Sequence, residues 1–302
     1  MNETVLITGL NGMVAQKLTQ HLKKDYSIRF LTRNVSHGNS YEWNIEKKYI
    51  DSRALIGVDH VIHLAGTPIT HKRWTKNRKE LILSSRIDSA ALIQKELKKH
   101  KVKIHSFISA SAIGYYGTKT TTKIFSEECQ KGNDFISDVC FKWEMAAHSF
   151  ELKKHAKRTA ILRIGIILSE TGGILEKLAR PIKYYLGSNI GDGKQYMPWI
   201  HIKDLCGIIK FILDNKHIKG TFNAVSPQHI TNTELTKEVA KVLNKSIILP
   251  NIPKFIVQRL FGEMAIIILQ GSKVSSEKII KKGYSFEYRN LNKALNNIIR
   301  NI

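Results

Sequence analysis

Residues 4–18 read TVLITGLNGMVAQKL, and their pattern decides the fold. TVLITG is an apolar run that predicts a strand. From Gly12 to Lys24, the apolar residues Val14, Leu18 and Leu22 return at helical spacing on one face. Between strand and helix, Thr8-Gly9-x-x-Gly12-x-x-Ala15 has the spacing of a dinucleotide-binding turn. Glycine at 9 permits the tight turn. Glycine at 12 lets backbone N–H groups approach a pyrophosphate at the positive end of the helix. Ala15 is the smallest residue with a Cβ and still allows close helix–strand packing. Gly-x-x-Gly alone occurs by chance, but between an apolar strand and an amphipathic helix it is a strong signal. The residues expected at the phosphates are Thr8, Gly9, Asn11, Gly12, Met13 and Val14.

The second strand, SIRFLTR, ends at Thr32-Arg33. A site for NAD usually places a carboxylate there for the ribose 2′-hydroxyl, whereas an arginine suits the 2′-phosphate of NADP. No carboxylate lies between Asp25 and Glu42. Thr32 and Arg33 are therefore expected to select NADP(H).

Working outward, short apolar runs alternate with helical stretches. VDHVIHLA (58–65) and IHSFISAS (104–111) read as strands, and so does TAILRIGIIL (159–168) as one unbroken strand. A long helix is expected through Arg78, Leu81, Leu92 and Leu97, and another over 136–152. Alternation of this kind implies a parallel sheet covered by helices on both faces. After Leu168 the pattern changes. TGGILEKLARPIKYYLG is Gly-rich and then helical, WIHIKDLCGIIKFIL is a short strand and a helix, and GTFNAVSPQHITNTEL is a strand, a turn and a capped helix. Thr231 or Asn232 is the expected cap, with Glu234 close behind. The chain of 302 residues suits one large domain with a smaller partner.

The 48 basic and 25 acidic residues give a net charge of +23. Such a charge suits nucleic acid or an anionic surface. The lysines are scattered, however, and no basic stripe with interleaved aromatics or zinc-finger spacing is present, so no nucleic-acid partner is expected. MNETVLITG lacks the pattern of a signal peptide, and MAIIIL (264–269) is too short to span a bilayer. Cys129, Cys140 and Cys206 are few and unpatterned. They point to a reduced, cytoplasmic compartment and away from a disulfide framework or a zinc site. No metal and no membrane are expected.

LAGTPITHKRWT, SSRIDSAALI, ISASAIGYYG, DVCFKWEMAA, LRIGIIL, GDGKQYMPWIHIKDL, FNAVSPQHITNTEL and LFGEMA run in order along the chain. With the turn at Gly9 and Gly12, they resemble the extended short-chain dehydrogenase/reductase superfamily. The resemblance is closer to its atypical YfcH-like branch, usually labelled NAD-dependent epimerase/dehydratase. It implies an α/β fold: a Rossmann doubly wound parallel sheet over 1–168 plus 200–225, with a smaller α+β C-terminal substrate domain over 169–199 plus 226–302. It further implies that Leu64, Ala65 and Gly66 pass under the adenine-ribose side of the cofactor. Arg86 and Ser109 are implied as cofactor contacts, and Ile164, Gly165 and Ile166 would run along the nicotinamide. Thr67 stands where the family usually has Glu.

The superfamily's Tyr-x-x-x-Lys pair works because residues four apart share a helix face, so that the ammonium stabilises a phenolate. In DVCFKWE (138–144) the two positions hold Cys140 and Glu144, which cannot do this. A carboxylate one turn away disfavours thiolate, so Cys140 is read as a small buried apolar residue. The branch also lacks the pair. Ser111 matches the superfamily's active-site serine, and Tyr115 or Tyr116 is the expected proton donor. Glu144 is expected on a solvated helix face, the alternative being a general acid if it is buried enough to raise its pKa. His71, Lys72, Arg73 and Trp74 form a polar-aromatic loop, suited to an anionic or planar substrate or else simply exposed. His201 is expected to be structural.

The resulting expectation is an NADP(H)-dependent oxidoreductase or epimerase-like enzyme of atypical mechanism, monomeric or homodimeric. Its small-molecule substrate is a nucleotide-sugar or a small carbonyl or quinone. The alternative is a catalytically silent NADP(H) sensor.

Overall fold

A computed structural model describes residues 2–35 and 38–299. Residues 1, 36, 37 and 300–302, which the expected domain ranges include, lie outside the described residues. The elements in chain order begin with β1 (Thr4–Thr8), α1 (Met13–Leu22), β2 (Ser27–Thr32), β3 (Ser40–Asn44), β4 (Tyr49–Ile50), β5 (His60–His63) and α2 (Lys76–Lys99). There follow β6 (Ile104–Ala112), β7 (Ile124–Phe125), α3 (Phe135–Leu152), β8 (Ala156–Ile164), β9 (Ile166–Leu168), α4 (Gly173–Lys183), β10 (Trp199–His201), α5 (Ile202–Asp214) and β11 (Gly220–Ala224). The chain continues with α6 (Asn232–Val242), α7 (Lys254–Phe261), α8 (Ile266–Leu269), β12 (Lys273–Val274), α9 (Glu277–Lys281) and α10 (Leu291–Ile299).

Eight strands form one sheet in the order β11-β8-β6-β5-β1-β2-β3-β4. Its pairs are parallel except β3 with β4. From β1 the chain moves outward to β2, then returns to the other side of β1 as β5. The carboxyl ends of β1 and β5 therefore flank the switch point at which such sheets bind ligands. One face buries α1 and α5 through Leu18, Leu22, Leu205 and Ile209. The other buries α2 and α3 through Ile93, Leu97, Ala147 and Phe150, with the Phe150 ring stacked on Phe107 at 3.6 Å. A fully buried aromatic side chain contributes about 1.5–3 kcal/mol, so these residues carry much of the helix docking.

The single strand expected over TAILRIGIIL is broken at Gly165. A Cβ there would lie 2.5 Å from the Pro198 carbonyl oxygen, so the close backbone approach requires glycine. Past this point the chain leaves the main sheet, and β9 pairs with β10 in a two-stranded sheet. Strands β3, β4, β7 and β12 were not foreseen. Three of them have two residues each, too few for an alternating pattern to register. The smaller lobe packs α4, α6 and α10 around Trp199, Leu235 and Leu295. Helix α6 carries the expected capping box, Thr231 with Glu234.

Candidate functional site

The turn after β1 is built as its glycines require. Gly9 has φ +81°, a left-handed conformation that favours glycine, and an added Cβ would meet the backbone of Leu64 and Ala65 at 3.4 Å. The Gly12 N–H donates to the Gly9 carbonyl at 2.8 Å and closes the turn. Gly12 then caps α1 without any side-chain bond to the helix, and no acidic residue occupies the first turn. The first N–H groups of α1, at the positive end of its dipole, are left for an anion. Thr8 is buried, and its hydroxyl accepts from the N–H of Leu64 (3.0 Å) and of Ala65 (2.9 Å). It thus positions the loop after β5 under the turn. Asn11 is exposed, while Met13 and Val14 are half-buried and pack against the core.

Thr32 is buried at the end of β2. The next residue, Arg33, is exposed and makes no ion pair with a described residue. Its position beside the switch point suits a phosphate. Gly66 lies on Arg86, whose Cζ would be 3.1 Å from an added Cβ. Arg86 is buried, donates to the carbonyls of Thr67 (3.1 Å) and Ile82 (2.8 Å), and stands 4.8 Å from the centroid of the Trp143 ring. It buttresses the loop of Leu64, Ala65 and Gly66 from below. Ser109 turns its hydroxyl to the Ala110 carbonyl, 2.9 Å away. Ile164 and Ile166 flank the break at Gly165.

A buried polar network joins the carboxyl ends of β6, β8 and β11 to α3. The Ser111 hydroxyl donates to Glu144 Oε1 at 2.7 Å. Arg163 grips the same carboxylate with two bonds, Nε to Oε1 at 2.9 Å and Nη2 to Oε2 at 2.8 Å. Its Nη1 donates to the Tyr116 hydroxyl at 3.0 Å, and Tyr116 donates in turn to Asn223 Oδ1 at 2.6 Å. The guanidinium also lies 3.4 Å from the centroid of the Tyr115 ring, a cation–π contact. Burial works against the charge of Arg163, but Glu144 and Tyr116 outweigh it and hold the guanidinium more firmly protonated than usual.

These positions correct several expectations. Glu144 does not lie on a solvated face: it is 5% exposed and paired with an arginine that the sequence reading did not single out. The signal for Arg163 was available, because a cation inside the apolar strand TAILRIGIIL needs a buried partner. The two tyrosines differ. Tyr116 is buried with both hydroxyl roles filled, and burial pushes its pKa up to about 12. Tyr115 is half-buried, and its hydroxyl forms no hydrogen bond with the described residues. Cys140 is buried against Gly114 and Ile136, and burial, reinforced by Glu144, raises its thiol pKa to about 12. In the loop at 71–74, His71, Lys72 and Arg73 are exposed and Trp74 is buried; Trp74 donates to the Ile69 carbonyl, and Arg73 donates to the carbonyls of Leu260 and Arg259 in α7. His201 is structural. It is buried, accepts from the Lys203 N–H, stacks on Tyr288, and is held neutral by burial with a pKa of about 4.

Known proteins resemble this chain in sequence and in fold. A family model described as the NAD dependent epimerase/dehydratase family matches residues 5–224, and one described as a domain of unknown function (DUF1731) matches 252–298. The Epimerase family protein SDR39U1 of Mus musculus is 31% identical over 300 residues, covering 98% of this chain and 99% of that one. The Epimerase family protein YfhF of Bacillus subtilis (strain 168) is also 31% identical over 300 residues, covering 98% and 97%. Human SDR39U1 (isoform 2), crystallised with NADPH, superposes with a TM-score of 0.88 at 28% identity, covering 99% of this chain and 100% of that one. A nucleoside-diphosphate sugar epimerase from Corynebacterium glutamicum gives a TM-score of 0.78 at 28% identity, over 98% of this chain and 57% of that one.

Proposed function

Because the chain belongs to the NAD dependent epimerase/dehydratase family, we propose that it is an NADP(H)-binding oxidoreductase or epimerase-like enzyme that works without a Tyr-x-x-x-Lys pair. The substrate is a small molecule, a nucleotide-sugar or a carbonyl or quinone compound. In this reading 1–168 plus 200–225 hold the cofactor and 169–199 plus 226–302 the substrate. The residues fit the cofactor: the start of α1, without a side-chain cap, suits the pyrophosphate together with Gly9 and Gly12, and Arg33, which forms no ion pair with a described residue, suits a 2′-phosphate. The NADPH in the human relative's crystal supports the same choice.

The observation that carries the reading is Ser111, held by the Glu144–Arg163 pair at the carboxyl end of β6. Bound NADP(H) supplies or accepts a hydride at the substrate carbon. Ser111 Oγ accepts a proton from a substrate hydroxyl as its own passes to Glu144 Oε1, and the reverse transfer serves reduction. Arg163 keeps the carboxylate aimed at Ser111, and Tyr115 offers a second hydroxyl in the same loop. Cys140 takes no part.

One observation favours the sensor reading. Ser111 is 3% exposed, which leaves a substrate little access to its hydroxyl. The two readings are separated by incubating NADPH with a panel of carbonyls, quinones and nucleotide-sugars. An oxidoreductase consumes NADPH with at least one of them, and an epimerase converts a nucleotide-sugar to its isomer with no net change in cofactor; NADPH binding with neither consumption nor isomer formation favours the sensor.

A further inference from the structure

At the opposite end of the strands, far from Ser111 along β6, the amino ends of the three central strands β1, β5 and β6 bring together four side chains that the proposed reaction does not use. Glu3 precedes β1, Asp59 precedes β5, His60 begins β5, and His105 lies near the start of β6. Parallel pairing fixes them: Val5 is in register with His60, and His60 with Ser106. The backbone ties them further. The Thr4 N–H donates to Asp59 Oδ2 at 2.8 Å, the Asp59 N–H to the Thr4 carbonyl at 3.0 Å, and the His105 N–H to the Asp59 carbonyl at 2.6 Å.

One donor atom from each of Glu3, His60 and His105 lies within 4.8 Å of the others. His60 Nε2 is 3.3 Å from Glu3 Oε2, and His105 Nδ1 is 3.4 Å from Glu3 Oε1. Asp59 Oδ1 is 3.7 Å from His105 Nδ1. Zinc bonds of about 2.0–2.2 Å place tetrahedral ligand atoms about 3.3–3.6 Å apart. Each histidine nitrogen stands at such a distance from its nearer Glu3 oxygen. His60 is 1% exposed, and its other nitrogen, Nδ1, is engaged by the Ser106 hydroxyl at 2.7 Å. That bond orients Nε2 toward Glu3, as outer partners orient ligating histidines in metal sites. Lys216 Nζ lies 3.7 Å from Glu3 Oε1 and is 78% exposed, so solvent can readily take it up; Arg158 also acts on Glu3 and His60, but donates to the carbonyls of Ile212, Leu213 and Ile218.

We propose that Glu3, His60 and His105 form a zinc site that staples the chain before β1 to β5 and β6. Two imidazoles and a carboxylate suit zinc. Its place at the end of the sheet away from the switch point makes the ion structural and not catalytic.

The test uses the full chain without a polyhistidine tag, stripped with chelator and titrated with zinc chloride against a chromophoric competitor, with thermal unfolding in parallel. The parent is expected to take up one equivalent and to gain in Tm. Glu3→Gln and His105→Gln, which replace partly exposed groups, should each weaken binding at least about tenfold and remove the gain in Tm. Lys216→Ala, which removes the competing ammonium, should bind at least as tightly as the parent. Absence of zinc uptake by the parent overturns the proposal. So does unchanged binding in Glu3→Gln and His105→Gln, which would place the metal on other side chains.

Discussion

Arg163 and Glu144 meet edge to edge inside the domain, with two bonds of 2.9 and 2.8 Å between side chains that are 4% and 6% exposed. Desolvating two charges is costly, and pairing offsets that cost only while both remain. Glu144→Gln or Arg163→Met alone should therefore destabilise the protein by about 3–5 kcal/mol. The double substitution should recover part of the loss. Urea unfolding of the four proteins checks this, and single variants as stable as the parent would refute it.

Arg33 governs cofactor choice in this account. NADPH should bind more tightly than NADH, and Arg33→Ala should erase most of the difference. A charge-assisted bond to the 2′-phosphate contributes about 1.5–3 kcal/mol, or roughly ten- to a hundredfold. Equal affinity of the parent for the two cofactors, read by fluorescence titration, would sink the assignment.

Gly12→Val should abolish NADPH binding. Even a Cβ would crowd the Gly9 carbonyl oxygen at 3.1 Å, and the branched side chain would cover the free N–H groups of α1. Circular dichroism establishes that the variant is folded. Normal binding by a folded variant would mean that the phosphates lie elsewhere.

Tyr115 and Tyr116 should separate. Tyr116→Phe leaves Asn223 Oδ1 and Arg163 Nη1 without their partner and should cost about 1–3 kcal/mol of stability. Tyr115→Phe removes a hydroxyl that bonds to no described residue, so it should leave stability unchanged and slow turnover. The opposite pattern would reverse the two roles.

Much of this was legible in the chain. TVLITGLNGMVAQKL specified strand, turn and helix because each glycine had a local conformational reason. ITNTEL specified its own cap. What escaped was long-range. Helical periodicity around DVCFKWE placed Glu144 beside Cys140, but could not show that β8 would bring Arg163 against it. The grouping of Glu3, His60 and His105 likewise depends on the register of three strands, which no local pattern encodes. Gly165 looked like a residue within one strand because its close neighbour, the Pro198 carbonyl, is distant in sequence.

The central claim is that the chemistry has left the Cys140 position and rests on Ser111. Single-turnover oxidation of bound NADPH, with whichever acceptor the substrate panel yields, tests it most directly. Ser111→Ala should bind NADPH as the parent does, yet lose roughly a hundredfold or more in rate, the scale expected for removing a positioned hydrogen-bonding group. Cys140→Ala should stay within a few-fold of the parent. An active Ser111→Ala beside an inactive Cys140→Ala would contradict the account.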